Sequence, residues 1–428
     1  MVKHINRCRV CGNPVSTVVQ LGAQWIQGAF IKAGVSAPIR QLPMNLVRCS
    51  PQHNEGACGL VQNKITIPPD ILYQNYWYES GTSFTMRQHL SQIAAEVEGM
   101  RDRGKLDSPV ILDIGCNDGT LLKALPDAWL KWGCDPSSVA ANASLFDHKI
   151  KLVKGTYPNS IFLAPNLMKF HAITSIACFY DLDDPIGFAK AIATNLRDNG
   201  IWICEVAYLP TMLENNDLMT ICHEHLCYYT LATFERVCDA AGLKVVSAKL
   251  NDCNGGSIRF YVAKAQHAKT TAEAYGFADN LQALRFYEFE NSFDELSPYL
   301  RFQVNIQQIK LSLNKTISQL REAGKQIHIL GASTKGNTLL QYVGLGKEDI
   351  AAASDRNPLK HGAHLINGIP IVSEEESRAM KPDVYLVLPW HFRRELIQRE
   401  AEFLNNGGQF LFPLPTPELV GKEALSEI

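Results

Sequence analysis

A short apolar run followed at once by a glycine-flanked turn constrains this chain of 428 residues more than any other feature. Val110, Ile111, Leu112 and Ile114 form a run apolar on both faces, which predicts a buried strand of the parallel type. Gly115 and Gly119 bracket the turn, and Thr120 to Leu125 opens a helix. Strand, glycine turn and helix in that order open a doubly wound α/β domain. Cys116, Asn117 and Asp118 lie between the glycines, so the turn is not the GxGxxG that seats a dinucleotide pyrophosphate. A second strand, AWLKWGCDP, ends in Asp135, where an acid can accept both hydroxyls of a ribose. ITSIACFYDLDDP predicts strand four and its loop. GFAKAIATNLRDNGIWICEV predicts a helix, a glycine turn and strand five. Upstream, QHLSQIAAEVEGMRDRG has apolar residues at helical spacing and stops at Gly104.

With 46% hydrophobic residues, the chain can fill more than one core, which excludes global disorder. Lys plus Arg number 41 against 43 Asp plus Glu. No basic excess exists to draw the chain onto nucleic acid or an anionic membrane. No apolar stretch is long enough for a transmembrane helix, and MVKHINRCRVCG lacks the apolar run of a signal peptide. A cytoplasmic location is therefore expected. The 12 cysteines are too few for a disulfide scaffold, so clustered thiols point to metal. Cys8 and Cys11 form the knuckle CRVCG, and Cys49 and Cys58 follow. Four such ligands suit a structural zinc tetrahedron. His53 is an alternative fourth ligand, and ordinary free thiols are the bland reading. The little positive charge nearby argues against a nucleic-acid finger.

Beyond strand five, HEHLCYY packs His223, Glu224, His225, Tyr228 and Tyr229 together. Histidine is the natural proton acceptor at cell pH. The HExxH zinc signature is absent because Cys227 stands where its second His belongs. Satisfied core histidines are the structural alternative. LATFERVCDAAGL predicts an amphipathic helix, KVVSAKL a strand, and NDCNGGSIRFYV a turn and strand. A long helix from about Phe302 to Ala323 precedes IHILGASTKGNTLLQYVG, again strand, glycine turn and helix. SDRNPLKHG, PDVYLVLPW and QFLFPLP add strands, giving a second α/β fold. Backbone N–H groups at GASTKG, with Lys335, can hold a phosphate, although the Walker A pattern is not matched.

DIGCNDG and GCDP resemble the class I S-adenosylmethionine-dependent methyltransferases, with Asp113, Gly115, Asn117, Gly119 and Asp135 at the matching positions. CxxCG, DIGxNDGTLL, HEH followed by aromatics, and GGSIRFYV together resemble the sugar C-methyltransferase family. ILYQNYWYESGTSFTMRQH also matches, through Tyr76, Tyr78, Ser80, Ser83, Met86 and His89, as do GASxKGNTLL and DRNPxK. The likeness spans nearly the whole chain. It implies a class I Rossmann-like methyltransferase domain (71–265) between a small N-terminal zinc-binding domain (1–70) and a helical linker with a C-terminal α/β domain (266–428). It implies S-adenosylmethionine and a structural Zn2+ as cofactors. The implied acceptor is a dTDP-linked keto-deoxysugar methylated next to its ketone. His225 is the implied base, Glu224 polarises an imidazole, and His223 or a tyrosine donates to the enolate oxygen; Tyr76 joins this catalytic set. Tyr78, Tyr228, Lys335, Asn337, Arg356 and Lys360 are the implied substrate-binding residues. Where the family carries a tyrosine immediately before HEH, this chain has Cys222. A methyltransferase acting on another small molecule, at N, O or C, and a non-catalytic donor-binding protein are the alternative readings. Either a monomer or a homodimer fits, with no nucleic-acid or membrane partner.

Overall fold

Strand β1 (Val110–Ile114) is buried at every position, as its continuous apolar run predicts. The computed structural model describes residues 2–32, 40–52, 54–73, 78–143, 145 and 148–427. The chain packs as two compact units, each assembled from separated stretches. The first comprises Met1–Ser16, Val47–Pro210 and Glu224–Glu295; the second comprises Thr17–Leu46, Thr211–His223 and Leu296–Ile428. The packing thus groups residues differently from the three consecutive segments read along the sequence.

In the first unit β1 is an interior strand of a seven-stranded sheet. The other strands are β2 (Leu130–Asp135), β3 (Ile150–Lys154), β4 (Phe170–Ile176), β5 (Leu196–Ala207), β6 (Leu243–Asn251) and β7 (Ser257–Lys264), in the order β6-β7-β5-β4-β1-β2-β3. All pairings are parallel except those of β7, which runs antiparallel between β5 and β6. The order reverses between β1 and β4, and in open α/β sheets ligands sit outside the carboxyl ends of the strands at that point. Strand five shows one difference from the sequence expectation. The DNG residues make no separate turn before it; they form an irregularity inside β5, where the partner of β4 jumps from Leu196 to Ile201 between Phe170 and Ala172. The extra residues are absorbed as a bulge, which suits Gly200 and its polar neighbours.

Helix α1 (Phe84–Gly104) is capped by Ser83, whose Oγ accepts from Met86 N, and ends at Lys105 with φ 48°. Leu90, Ile93, Ala94, Val97 and Met100 form its buried stripe, packed in one cluster with Ile111, Leu122, Ile203 and Tyr261. A second cluster joins Trp132, Phe170, Phe179, Phe188, Trp202, Phe234 and Phe260. Within it, Phe260 stacks at 4.0 Å on Phe234 of helix α3 (Leu231–Ala240), which follows α2 (Thr120–Ala124) in the chain.

The second unit holds a six-stranded sheet. Its strands are β8 (Ile327–Leu330), β9 (Ala352–Ser354), β10 (Ile371–Val372), β11 (Val384–Val387), β12 (Gln409–Phe412) and β13 (Glu418–Val420), in the order β10-β9-β8-β11-β12-β13. It is parallel except at β13. Helix α4 (Ser297–Glu322) begins before the expected Phe302, because Pro298 sits in its first turn and Tyr299 extends its buried stripe. Helix α5 (Thr334–Val343) is capped by Ser333 and closed by Gly344. Among the described residues no helix is long and apolar enough to cross a membrane.

Candidate functional site

The turn after β1 is built for close backbone approach. Gly115, Asn117 and Gly119 have φ of 72°, 51° and 76°, all in the left-handed region. A Cβ on Gly119 would stand 2.2 Å from Leu145 Cδ2, so both conformation and space require glycine there. Asp135, at the end of β2, is buried; its Oδ2 accepts Asn117 N at 2.9 Å and its Oδ1 accepts Ser137 N at 2.7 Å. Each oxygen keeps a further lone pair, which fits a ribose diol. Asp113 is also buried and accepts from Thr174 Oγ1 at 2.6 Å. Burial, with a smaller push from Asp135, raises its pKa to about 7. Asn117 faces along the chain: its Oδ1 accepts Ser80 N and its Nδ2 donates to Tyr78 O, both at 2.9 Å. Asp118 Oδ2 accepts Gly81 N at 2.8 Å. The residues before α1 are thereby pinned to the turn. These residues together fit the adenosine and methionine parts of S-adenosylmethionine.

Cys8, Cys11, Cys49 and Cys58 converge. The Cys8–Cys58, Cys49–Cys58 and Cys11–Cys49 Sγ distances are all 3.6 Å. A zinc–sulfur bond of about 2.3 Å gives a tetrahedron edge of about 3.8 Å, close to that spacing. Gly12 at φ 70° closes the knuckle, with its N–H on Cys8 O, and Val10 N–H points to Cys8 Sγ at 3.4 Å. Hydrogen bonds from Cys49 and then Cys58 favour the Cys8 thiolate, whereas the Cys58 thiol is pushed up. A dication resolves that conflict by taking all four as thiolates. The site is a four-cysteine metal centre suited to structural zinc. His53 lies outside the described residues.

The HEH segment crosses the boundary between the two units. His225 belongs to the first unit, with its ring centroid 4.3 Å from that of Tyr180 beyond the end of β4. His223 belongs to the second unit and is fully buried. Its Nδ1 lies 2.8 Å from Gln27 Oε1, and the Gln27 amide donates to Gln24 Oε1. Gln27 Oε1 only accepts, so Nδ1 carries the proton. Burial lowers the pKa of His223 to about 4, leaving a neutral ring whose one N–H is already committed. Glu224 keeps some exposed surface, yet burial of its carboxyl raises its pKa to about 7. Tyr228 is buried, on a short strand whose backbone pairs with Val61. Tyr76 lies outside the described residues.

In the second unit, Lys335 Nζ donates to Thr220 Oγ1 at 3.2 Å from the first turn of α5. Lys360 Nζ donates to Ala332 O at 2.8 Å and Asp355 Oδ2 at 3.0 Å, and stands 4.7 Å over the Phe30 ring. Arg356 is exposed and 3.5 Å from Glu374. Asn337 is fully buried and gives its amide to Gln27 O at 2.6 Å, so it serves the interior of this unit.

Sequence reasoning passed over a network at the carboxyl end of β5. Glu205 Oε1 lies 2.5 Å from His89 Nε2. Its Oε2 accepts Arg259 Nε at 2.8 Å and Asn251 Nδ2 at 3.1 Å. Arg259 Nη1 also reaches Glu96 Oε2 at 2.8 Å, beside Tyr261 OH at 2.7 Å. Burial alone would raise Glu205, but the His89 hydrogen bond and the Arg259 charge outweigh it and hold the carboxyl below its usual range. The available signal was a charge inside each of two apolar strands, IWICEVA and SIRFYV, since a buried charge requires a partner.

Residues 86–248 match the family described as a methyltransferase domain. Residues 8–73 match a zinc binding domain family, and residues 252–415 match the C-methyltransferase C-terminal domain. The C-methyltransferase NovU of Streptomyces niveus is 28% identical over 435 residues, covering 99% of each chain. Two solved structures overlap part of the chain. An S-adenosylmethionine-dependent methyltransferase of Clostridium acetobutylicum is 16% identical with a TM-score of 0.33, over 40% of this chain and 89% of its own. The magnesium protoporphyrin IX methyltransferase of Synechocystis is 13% identical with a TM-score of 0.33, over 42% and 88%. At those scores neither likeness bears on the chemistry of the site.

Proposed function

We propose that this chain, an S-adenosylmethionine-dependent methyltransferase with an N-terminal zinc-binding domain and a C-methyltransferase C-terminal domain, methylates the carbon beside the ketone of a dTDP-linked keto-deoxysugar. The observation that carries this reading is the end-to-end likeness to a C-methyltransferase, which extends through the C-terminal domain. Bound S-adenosylmethionine supplies an electrophilic methyl group. The chain must then supply a base for a C–H made acidic by the ketone, hold the two carbons in line, and stabilise the enolate oxygen. His225 is the proposed base: it lies near the carboxyl end of β4 and keeps 8% of its surface exposed. Glu224 is proposed to hold a sugar hydroxyl, its carboxyl poised near neutrality. Tyr78 and Tyr228 are proposed on the sugar, and Tyr76 in the catalytic set. Lys335, Lys360 and Arg356 offer three cations for the diphosphate, on one unit. Cytoplasmic residence, where nucleotide sugars are made, is part of the proposal.

The test is turnover with S-adenosylmethionine over a panel of nucleotide-linked 4-ketosugars, with products followed by mass and NMR. A product heavier by one methylene, with the new methyl bonded to carbon, is expected. Methylation solely of oxygen or nitrogen acceptors contradicts the proposal.

A further inference from the structure

Arg9 stands in the CRVC knuckle between two of the four clustered thiols, yet only 2% of its side chain is exposed. A buried guanidinium is costly unless its donors are met. Here two separate segments meet them. On one side, Arg9 Nη1 donates to Asn63 O at 2.8 Å and to Gln62 Oε1 at 3.4 Å, and Nη2 donates to Thr66 Oγ1 at 2.7 Å. The Arg9 backbone N–H also donates to Gln62 Oε1, at 3.0 Å. On the other side, Arg9 Nε donates to Asp183 Oδ1 at 2.9 Å, and the same oxygen accepts Thr66 Oγ1 at 2.8 Å. Lys3 reaches Asp183 Oδ2 at 2.9 Å but is 64% exposed, so it adds little.

Both segments lead to His225. The short strand Val61–Asn63 pairs antiparallel with Cys227–Tyr228, with Gln62 opposite Cys227 and Val61 opposite Tyr228. Asn63 N donates to Leu226 O at 2.9 Å, which fixes the backbone directly after His225. Asp183 belongs to the stretch after β4 that also carries Tyr180. Tyr180 O accepts Leu226 N at 2.8 Å, and its ring centroid lies 4.3 Å from that of His225. Cys227 Sγ points to Leu182 O at 3.8 Å. His225 thus sits between two walls, and Arg9 bonds both at once. All these residues belong to the first unit.

We propose that Arg9 is a positioning residue for the base: it clamps residues 62–66 to Asp183 and so fixes the His225 imidazole against Tyr180. This rests on the C-methylation reading with His225 as base. A base must stand within hydrogen-bond reach of the proton it takes, and a misplacement of about 1 Å costs about 10²-fold. The donor turn has its own supports, Asn117 on Ser80 and Tyr78, and Asp135 on Asn117 and Ser137. The clamp therefore bears on proton abstraction and not on donor binding. Through it, the N-terminal cysteine domain serves turnover as well as its own fold.

The test uses the full chain with Arg9→Met and Thr66→Val. Zinc content, donor affinity and the number of donor-binding sites are measured by elemental analysis and calorimetry. Turnover, and exchange of the acceptor α-hydrogen with D2O in the presence of S-adenosylhomocysteine, are then expressed per donor-binding site. Arg9→Met should lose about 10–10²-fold in both rates per site, with zinc content and donor affinity unchanged. A role confined to folding would lower the number of sites and leave both rates per site at their wild-type values. Thr66→Val keeps both charges and removes the hydroxyl that joins Arg9 to Asp183. It should lose about 3–10-fold per site, the worth of one hydrogen bond, and it decides if Arg9→Met does not fold or hold zinc. Wild-type C-methylation with unchanged rates per site in Arg9→Met, or in Thr66→Val where that variant decides, overturns this proposal and leaves the C-methylation reading standing. A loss of donor affinity as large as the loss of rate also overturns it. Wild-type methylation at O or N without α-exchange overturns both.

Discussion

Arg259→Met isolates the energetics of the β5–β7 network. The side chains of Glu205 and Arg259 are 3% and 4% exposed and 2.8 Å apart. Their Cα atoms are directly paired across the two strands. Removing one partner of a buried pair leaves an uncompensated charge, at a cost of about 3–5 kcal/mol. Glu96 adds little, since Lys249 still serves it near the surface. The expected loss is therefore about 3–5 kcal/mol in urea unfolding at pH 8. The sign with pH follows from Glu205. In the wild type its folded pKa is depressed, so its stabilising contribution is present above the unfolded value of about 4.3 and lost as pH falls through the folded value. Without Arg259 the His89 hydrogen bond remains but the guanidinium charge that offsets burial is gone, so the folded pKa should rise from its depressed value. The variant's deficit should then shrink as pH falls from about 8 to 5 and the carboxyl protonates. Adding Glu205→Gln should recover most of the deficit at pH 8. A single-variant loss below about 1 kcal/mol, or a deficit independent of pH, would refute the reasoning, because a solvated surface pair behaves that way.

His225→Gln should cut kcat by about 10²–10⁴-fold, the usual worth of a positioned base, with S-adenosylmethionine affinity unchanged by calorimetry. Elemental analysis should find one zinc per chain in the wild type and none in Cys49→Ser, which should also become protease-sensitive within its first 70 residues. Gly119→Ala should destabilise the first unit by about 2–4 kcal/mol in urea, from left-handed strain and the Leu145 overlap together; a change under 1 kcal/mol contradicts the close packing. Glu224, raised to about 7 in the folded chain, binds its proton more tightly than in the unfolded chain. It therefore subtracts stability as pH rises from about 4 to 7. Glu224→Gln should flatten the urea-derived slope over that interval by up to about 1.4 kcal/mol per pH unit.

Some of this was readable in the sequence because it is local. The β1 run, its glycines and the α2 start lie within 15 residues (110–124), and their conformation follows from contacts at that range. The four cysteines were readable because zinc chemistry limits what such a set can do. The fate of HEH was not readable: adjacent residues His223 and Glu224 belong to different compact units. The partner that takes the His223 proton, Gln27, lies far away in sequence. The Glu205–Arg259 pair spans 54 positions and exists only because β7 inserts antiparallel beside β5. Asn337 read as a ligand-facing residue of GASTKGNTLL, yet its position on α5 turns it inward. Local pattern named the strands, while strand order decided which charges met.

The most direct measurement is the fate of a deuterium placed on the acceptor's α-carbon, in a nucleotide-linked 4-ketosugar turned over with S-adenosylmethionine. The account predicts a product in which that deuterium is replaced by a carbon-bound methyl, with release of the label suppressed in His225→Gln. Retention of the deuterium in a methylated product would contradict it, since a methyl on oxygen or nitrogen needs no bond at that carbon to break.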